Sequence, residues 1–395
     1  MYSVSNSTQT NKYLLFQSVR SLEFFSPVIV LFWLSHGLNM TQVMLLQSIY
    51  SIGVLILEIP SGAVADYFGK RISLIIGSFI FGLGFILYGF GSSFLQFAIG
   101  ELVVALGMSL ISGVDSAFIH EHLKENDKEN QFNAVEGKAS SFMQVGRMIS
   151  SVVGGFIGSV SLGFSLIATG IASIAGSAVA LTFTKTSENL DRNENTNYIQ
   201  IISESLSLIK NNKSLVWITV LYAFFQAILF SIIFLIQPYM LASGVPTEFF
   251  GVVFAGCNLL SAIVLFRVDS LQKLFGSKQN MYLIAITSVA LVGLGSILSP
   301  VAIPLWAVIF TAMSVSRILI NRQVLAIIPS NRSATVLSFL NMSRRVVLAV
   351  LAPVVGIVSD VFGILWALRF VAALFIAVFL LLKLLRGKRR IAVLS

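Results

Sequence analysis

The chain has 395 residues, 56% of them hydrophobic and 11% charged, with a mean hydropathy of +0.90. Soluble domains keep roughly 25% charged residues, so the composition excludes a water-soluble globule and defines an integral membrane protein. The formal charge of +9 does not point to nucleic acid, because the cations gather in loops on one side of the apolar runs, as membrane orientation demands.

A helix needs about 20 apolar residues to cross the hydrocarbon core. In chain order such runs fall at 14–35, 43–64, 72–92, 95–118, 136–160 and 163–184. After a polar stretch they continue at 214–238, 248–267, 280–299, 303–325, 334–358 and 363–385. The first run is expected to persist, since the N-terminus lacks the basic start and cleavage site of a signal peptide. Twelve spans put both termini on one side. Lysine and arginine occupy the loops after spans 2, 4, 6, 8 and 10, from Lys70 and Arg71 to Arg332, and then the tail. The opposite loops (36–42, 93–94, 161–162, 239–247, 300–302 and 359–362) hold none. The expected location is the cytoplasmic (inner) membrane, with both termini cytoplasmic.

The long polar segment 185–213 reads as a cytoplasmic linker with a short amphipathic helix near 198–209. It divides the chain into six-span halves, 1–184 and 214–395. The halves look related: Ser141-Phe142-Met143-Gln144-Val145-Gly146-Arg147 matches Ser338-Phe339-Leu340-Asn341-Met342-Ser343-Arg344 at an offset of 197, both in the fifth span of their half. Parallel repeats of this kind are a transporter signature. Cys257 is the only cysteine and lies in an apolar run, so no disulfide or thiolate cluster is expected. His120-Glu121-His122 reads as a solvated charged loop rather than a metal site, and no P-loop occurs. No metal or cofactor is expected.

The stretch Gly62-Ala63-Val64-Ala65-Asp66-Tyr67-Phe68-Gly69-Lys70-Arg71 joins spans 2 and 3. It resembles the loop between helices 2 and 3 of the major facilitator superfamily. Glu58-Ile59-Pro60-Ser61-Gly62, Gly113-Val114-Asp115-Ser116-Ala117 and the run from Pro329 through Ser338 extend the resemblance to a bacterial, efflux-type branch. The family implies an all-α membrane protein, twelve transmembrane helices in two pseudo-symmetric six-helix bundles around one cavity, open alternately to each side. Spans 1, 4, 7 and 10 would line it, and spans 2, 5, 8 and 11 would slide. Two departures weaken proton antiport: span 4 carries Glu101 and no upper arginine, and span 5 lacks the Gly-Pro pair of antiporters.

A charge at mid-membrane costs at least ~2.5–3.5 kcal/mol, so it needs a partner or a wet cavity. Glu58 lies eight residues before Asp66, roughly 12 Å deeper along a helix. Family packing would bring it to Arg344 or Arg345 as a latch that breaks between states. Asp66, Lys70 and Arg71, with Gly62 and Gly69 for close approach, would lock the cytoplasmic ends of spans 2 and 11. Glu23 and Arg147 should lie at similar depth and pair, and Arg20, one turn away, could share Glu23. Glu23 is the first candidate proton carrier, because burial favours the neutral carboxyl, and Glu101 the second. Arg317 either lines the cavity or snorkels. Arg369 is expected to reach Asp360. Gln226, among Tyr222, Phe224 and Phe225, and Gln144 and Asn341 need partners in hydrocarbon.

Arg20, Arg147, Arg317, Arg344 and Arg345 outnumber Glu23, Glu58 and Glu101. A positive cavity favours an anionic or zwitterionic solute, which arginine grips bidentately. The expected function is secondary active, proton-coupled efflux of a small organic solute by a monomer in the lipid bilayer. The alternatives are an importer or uniporter of an organic anion, or a transport-inactive sensor. No catalytic constellation for an enzyme is legible.

Overall fold

The computed structural model describes residues 8–184, 207, 209–268, 279–328 and 333–387. The linker and its amphipathic segment lie almost wholly outside the described residues. Fifteen α-helices are numbered here among those described. They are α1 (Thr8–Arg20), α2 (Ile29–Ser35), α3 (Met40–Phe68), α4 (Lys70–Phe90), α5 (Phe94–Ile111), α6 (Val114–Glu125), α7 (Phe132–Val160) and α8 (Leu162–Leu181). After the linker come α9 (Lys213–Ile233), α10 (Ile236–Ala242), α11 (Phe250–Phe266), α12 (Gln279–Ser296), α13 (Ile303–Leu325), α14 (Ser333–Phe362) and α15 (Ile364–Gly387).

Each of the twelve expected spans has its helix or helix pair. Three spans are interrupted: span 1 is α1 plus α2, span 4 is α5 plus α6, and span 7 is α9 plus α10. The break in span 4 falls at Gly113, whose φ of 80° is open to glycine without strain. Ten spans among the described residues are long and apolar enough to cross a membrane. The remaining two are α1–α2, which is interrupted over eight residues, and α7, which is more polar. The His120–His122 triplet lies on α6 rather than in a loop. His120 Nε2 sits 3.3 Å from Glu129 and Glu121 meets Lys70.

The chain packs as two compact units. One comprises 1–37, 49–193 and 247–255, the other 38–48, 194–246 and 256–395. In the first, α4 is clasped by α5 and α8. Small residues allow it: a Cβ on Gly82 would come within 2.6 Å of the Gly170 carbonyl, and one on Gly107 within 2.4 Å of Phe81 N. Such close approach is how helices associate where lipid removes the hydrophobic drive. Tyr13, Phe16, Leu74, Phe118 and Phe183 form a core under this layer.

In the second unit α9 packs on α14 and α12 on α15. The first turns of α3 belong here, seated on the last turns of α14. Asp360 accepts hydrogen bonds from Met40 N (2.9 Å), Thr41 N (2.8 Å) and Thr41 Oγ1 (2.5 Å). Ser48 Oγ donates to Ala349 O at 2.8 Å. Gly356 lets the backbones touch, since a Cβ there would lie 2.6 Å from Thr41 Cα. Asn39 caps α3 itself, accepting from Gln42 N at 2.9 Å, and Asp360 holds the N–H groups of its first two residues; it is not the partner expected for Arg369. Arg369 instead donates from Nε to Gly295 O at 2.8 Å and covers the Trp366 ring.

Candidate functional site

The sequence predicts one helix for span 1, and the span is broken at 21–28. Pro27 supplies the reason. It has no N–H, and its ring would strike the carbonyl four residues earlier, that of Glu23. The freed donors find new acceptors: Glu23 N donates to Ser150 Oγ at 3.0 Å and Phe25 N to Thr169 Oγ1 at 3.1 Å. Helical bonding resumes with Ile29 N donating to Phe25 O.

Helix α7 cradles this segment with a four-residue repeat of small side chains. Gly146 abuts Ser21, Ser150 holds Glu23 N, Gly154 abuts Phe24 and Gly158 abuts Val28. A Cβ on Gly154 would lie 2.0 Å from the Phe24 carbonyl oxygen, so no larger residue fits without displacing the backbone. Gly146, Gly154 and Gly158 therefore serve the interruption of span 1, while Gly155 abuts Gly251.

The break presents Glu23 to Arg147. Glu23 Oε1 lies 3.7 Å from Arg147 Nε, and their side chains remain 30% and 40% exposed. Arg147 Nε, itself buried, makes no hydrogen bond. The pair expected from matched depth thus exists, but it is long and part-exposed. Gln144 is partly buried one turn earlier on α7.

Arg20 does not share Glu23. Its Nη2 meets Asp115 Oδ2 at 3.1 Å and Gln17 Oε1 at 2.9 Å. Gln17 Nε2 donates to Asp115 at 3.0 Å and to Tyr13 Oη at 2.9 Å, and Tyr13 donates to Glu136 at 2.7 Å. The side chains of Arg20 and Asp115 are only 13% and 14% exposed. Sequence reasoning treated Asp115 as a motif position only and missed Gln17, Tyr13 and Glu136. The available signal was that Asp115 opens α6 just after a helix-breaking glycine. This network also corrects the charge count. Within the first unit Arg20 and Arg147 each face a carboxylate, so the cation excess expected from the sequence does not hold there.

Glu101 is buried beside Tyr88. Lys70 and Arg71 do not join Asp66. Lys70 Nζ pairs with Glu121 at 2.9 Å and Arg71 donates to Leu181 O, tying the start of α4 to α6 and α8. The reason is geometric: Gly69, at φ 89°, turns the chain so that both cations begin a new helix. Asp66 is exposed and makes no ion pair among the described residues. Glu58 and Gly62 lie partly buried on α3.

In the second unit Gln226 is committed to α13, donating to Met313 O at 2.9 Å and Ser316 Oγ at 2.8 Å. Tyr222 donates to Asn341 Oδ1 at 2.9 Å, joining α9 to α14. Arg344 lies over the Phe230 ring at 5.1 Å, and Arg345 is partly buried next to it in sequence. Arg317 is exposed on α13. The structure therefore brings Glu23 and Arg147 together in the first unit, and gathers Asn341 with Tyr222 in the second.

Residues 14–353 match the family model "Major Facilitator Superfamily". A relative from Bacillus subtilis (strain 168), an uncharacterized MFS-type transporter named YxaM, is 26% identical over 378 residues and covers 92% of each chain. Among solved structures, a single-residue mutant of the nucleoside transporter NupG superposes with a TM-score of 0.80 at 11% identity, over 95% of this chain and 98% of that one. A D-xylose-proton symporter gives 0.72 at 14% identity, over 95% and 97%. At these identities the two likenesses concern the fold. The chain belongs to the Major Facilitator Superfamily. It is a multi-pass membrane protein that transports a solute, and it is not an enzyme.

Proposed function

We propose that this protein exports a small organic zwitterion or anion from the cytoplasm by alternating access, driven by exchange for protons. It sits as a monomer in the cytoplasmic membrane with both termini inside, and its halves are 1–184 and 214–395 about the linker 185–213.

The observation that carries the reading is the loose Glu23–Arg147 pair at an interrupted helix, 3.7 Å apart and part-exposed. A tight static bridge would be closed and dry, as Arg20–Asp115 is. An open pair can part: Arg147 takes the carboxylate of a solute, and Glu23 takes either its ammonium or a proton. Because the site is charge-balanced within its unit, a zwitterion meets it without net cost, whereas a pure anion needs Glu23 protonated. Gln144, one turn from Arg147, is assigned to the solute as well. Arg317, Gln226, Asn341 and Arg344 are the residues of the other unit assigned to it. Glu101 is the reserve proton site. Glu58 with Arg344 or Arg345, and Gly62, Asp66, Gly69, Lys70 and Arg71, are assigned to gating.

The test begins with an untargeted comparison of solutes accumulated and secreted with and without the gene. The differing solute is then supplied to inverted vesicles under an imposed proton gradient. The proposal expects uptake that collapses with an uncoupler and is lost in Glu23→Gln, while Arg147→Ala loses solute binding. Uptake unaffected by uncoupler and by Glu23→Gln would sink proton exchange at this pair.

A further inference from the structure

The second unit contains a cavity that the transport reading leaves unused. It lies between α11, α12 and α13, has a volume of about 360 Å³, and is walled by Leu260, Val264, Ile286, Val308, Val315 and Leu319. A second apolar space of about 290 Å³ begins at the same Ile286 and Val308 and runs along α12 and α13 towards Val289 and Leu305. Together they make a trough along the two helices.

The trough exists because α11 stands away from its neighbours. Ser261 Oγ touches Thr311 Oγ1 at 3.3 Å, and around that polar contact α11 packs only sparsely on α12 and α13. Its rim is open: Leu260 is 41% exposed and Ile286 53%. These segments are apolar enough to span a membrane, so the rim faces lipid. An apolar chamber of this size stays dry and takes an apolar ligand.

At one end the walls change character. Gln279 lines the cavity and its Oε1 is buried with no hydrogen-bond partner. Arg267, which precedes the wall residue Val268, is exposed and makes no ion pair among the described residues. Tyr282 borders the same mouth. The end therefore offers an orphan acceptor, next in sequence to a described cation at Arg267, above a channel with mostly apolar walls.

We propose that this trough is a binding site for an anionic phospholipid whose headgroup carries hydroxyls, of the phosphatidylglycerol type. One acyl chain lies in the trough, the phosphate sits on Arg267, and a headgroup hydroxyl donates to Gln279 Oε1. A zwitterionic lipid supplies the chain and the phosphate but brings an ammonium towards Arg267, so it binds less well. A basic residue at the membrane surface favours anionic lipid in the same sense.

The experiment is native mass spectrometry of the full-length protein, purified in mild detergent and titrated with phosphatidylglycerol or phosphatidylethanolamine of identical chains. The wild type is expected to retain one phosphatidylglycerol per chain and to prefer it over phosphatidylethanolamine at least threefold. Val264→Trp and Val308→Trp fill the trough from opposite walls, and each is expected to remove that one retained lipid. If either variant aggregates, the other decides. Arg267→Gln and Gln279→Leu should keep a lipid but erase the headgroup preference. Equal retention by a folded trough-filling variant overturns the site. Equal retention of the two headgroups by the wild type, or capture of detergent or fatty acid in place of phospholipid, overturns the assigned ligand.

Discussion

Asp360→Ala offers the sharpest test of how α3 is held. The carboxylate accepts three hydrogen bonds from the first two residues of α3, at 2.9, 2.8 and 2.5 Å. Losing these acceptors at the N–H groups that open a helix costs about as much as losing a cap, about 0.5–2 kcal/mol. The interaction of the negative charge with the helix N-terminus adds about 0.3–1 kcal/mol, less here because the bonds to Thr41 are exposed. Taking about 1–2 kcal/mol in all, the population in which α3 has left α14 should rise about 5- to 30-fold. The reporter is Val43→Cys in a Cys257→Ser background, because Val43 is fully buried in the described arrangement. Its maleimide labelling should accelerate by that factor in Asp360→Ala. Asp360 accepts through both of its oxygens, whereas asparagine offers one acceptor and turns an NH2 donor towards the remaining backbone N–H, so Asp360→Asn should give back only part of the protection. A labelling rate within twofold of the parent in Asp360→Ala, with the protein folded, would refute the reasoning.

Four further outcomes are expected. Gly154→Ala places a methyl group about 2.0 Å from the Phe24 carbonyl and should cost about 1–3 kcal/mol as overpacking does, read as a lower Tm; Gly137→Ala, in the same helix with open space around it, is the control and should be neutral or stabilising by up to about 1 kcal/mol. Removing one member of the buried Arg20–Asp115 pair, by Arg20→Leu or Asp115→Leu, strands the other and should destabilise by about 3–5 kcal/mol; the double variant should recover much of that loss in thermal unfolding. Glu23→Gln should leave Tm near the parent value and abolish only proton-driven accumulation in vesicles; equal loss of fold and function would make the residue structural. Asp66→Asn should slow turnover more than it weakens solute binding, measured as transport rate against equilibrium binding, and an unchanged rate would remove it from the gate.

The expected twelve spans reflect a rule that acts on every residue alike: hydrocarbon admits only long apolar helices with their backbone satisfied internally. The same arithmetic hid the special spans. Span 1 reads as one apolar run because Pro27 is a single residue within it, and the sequence does not say whether a neighbour will accept the donors that its ring frees. Ser150 and Thr169, 127 and 144 residues away from their partners, supply that answer. The small residues of span 5 were visible, but their purpose was not, because a glycine reports nothing about which backbone it admits.

Pairings divided in the same way. Glu23 and Arg147 could be matched by depth, which sequence counts directly. Arg20 could not be given its partner, because its choice between Glu23 and Asp115 depends on where span 4 breaks and how α6 is turned. Lys70 and Arg71 were legible as cations at a loop, but Gly69 turns them towards α6 and α8 instead of Asp66. What the chain alone determined was therefore what depends on composition and one-dimensional position: a membrane fold, its span count and the depth of each charge. What only the tertiary structure decided was direction, since a side chain's partner is set by helix rotation and by breaks that distant residues stabilise.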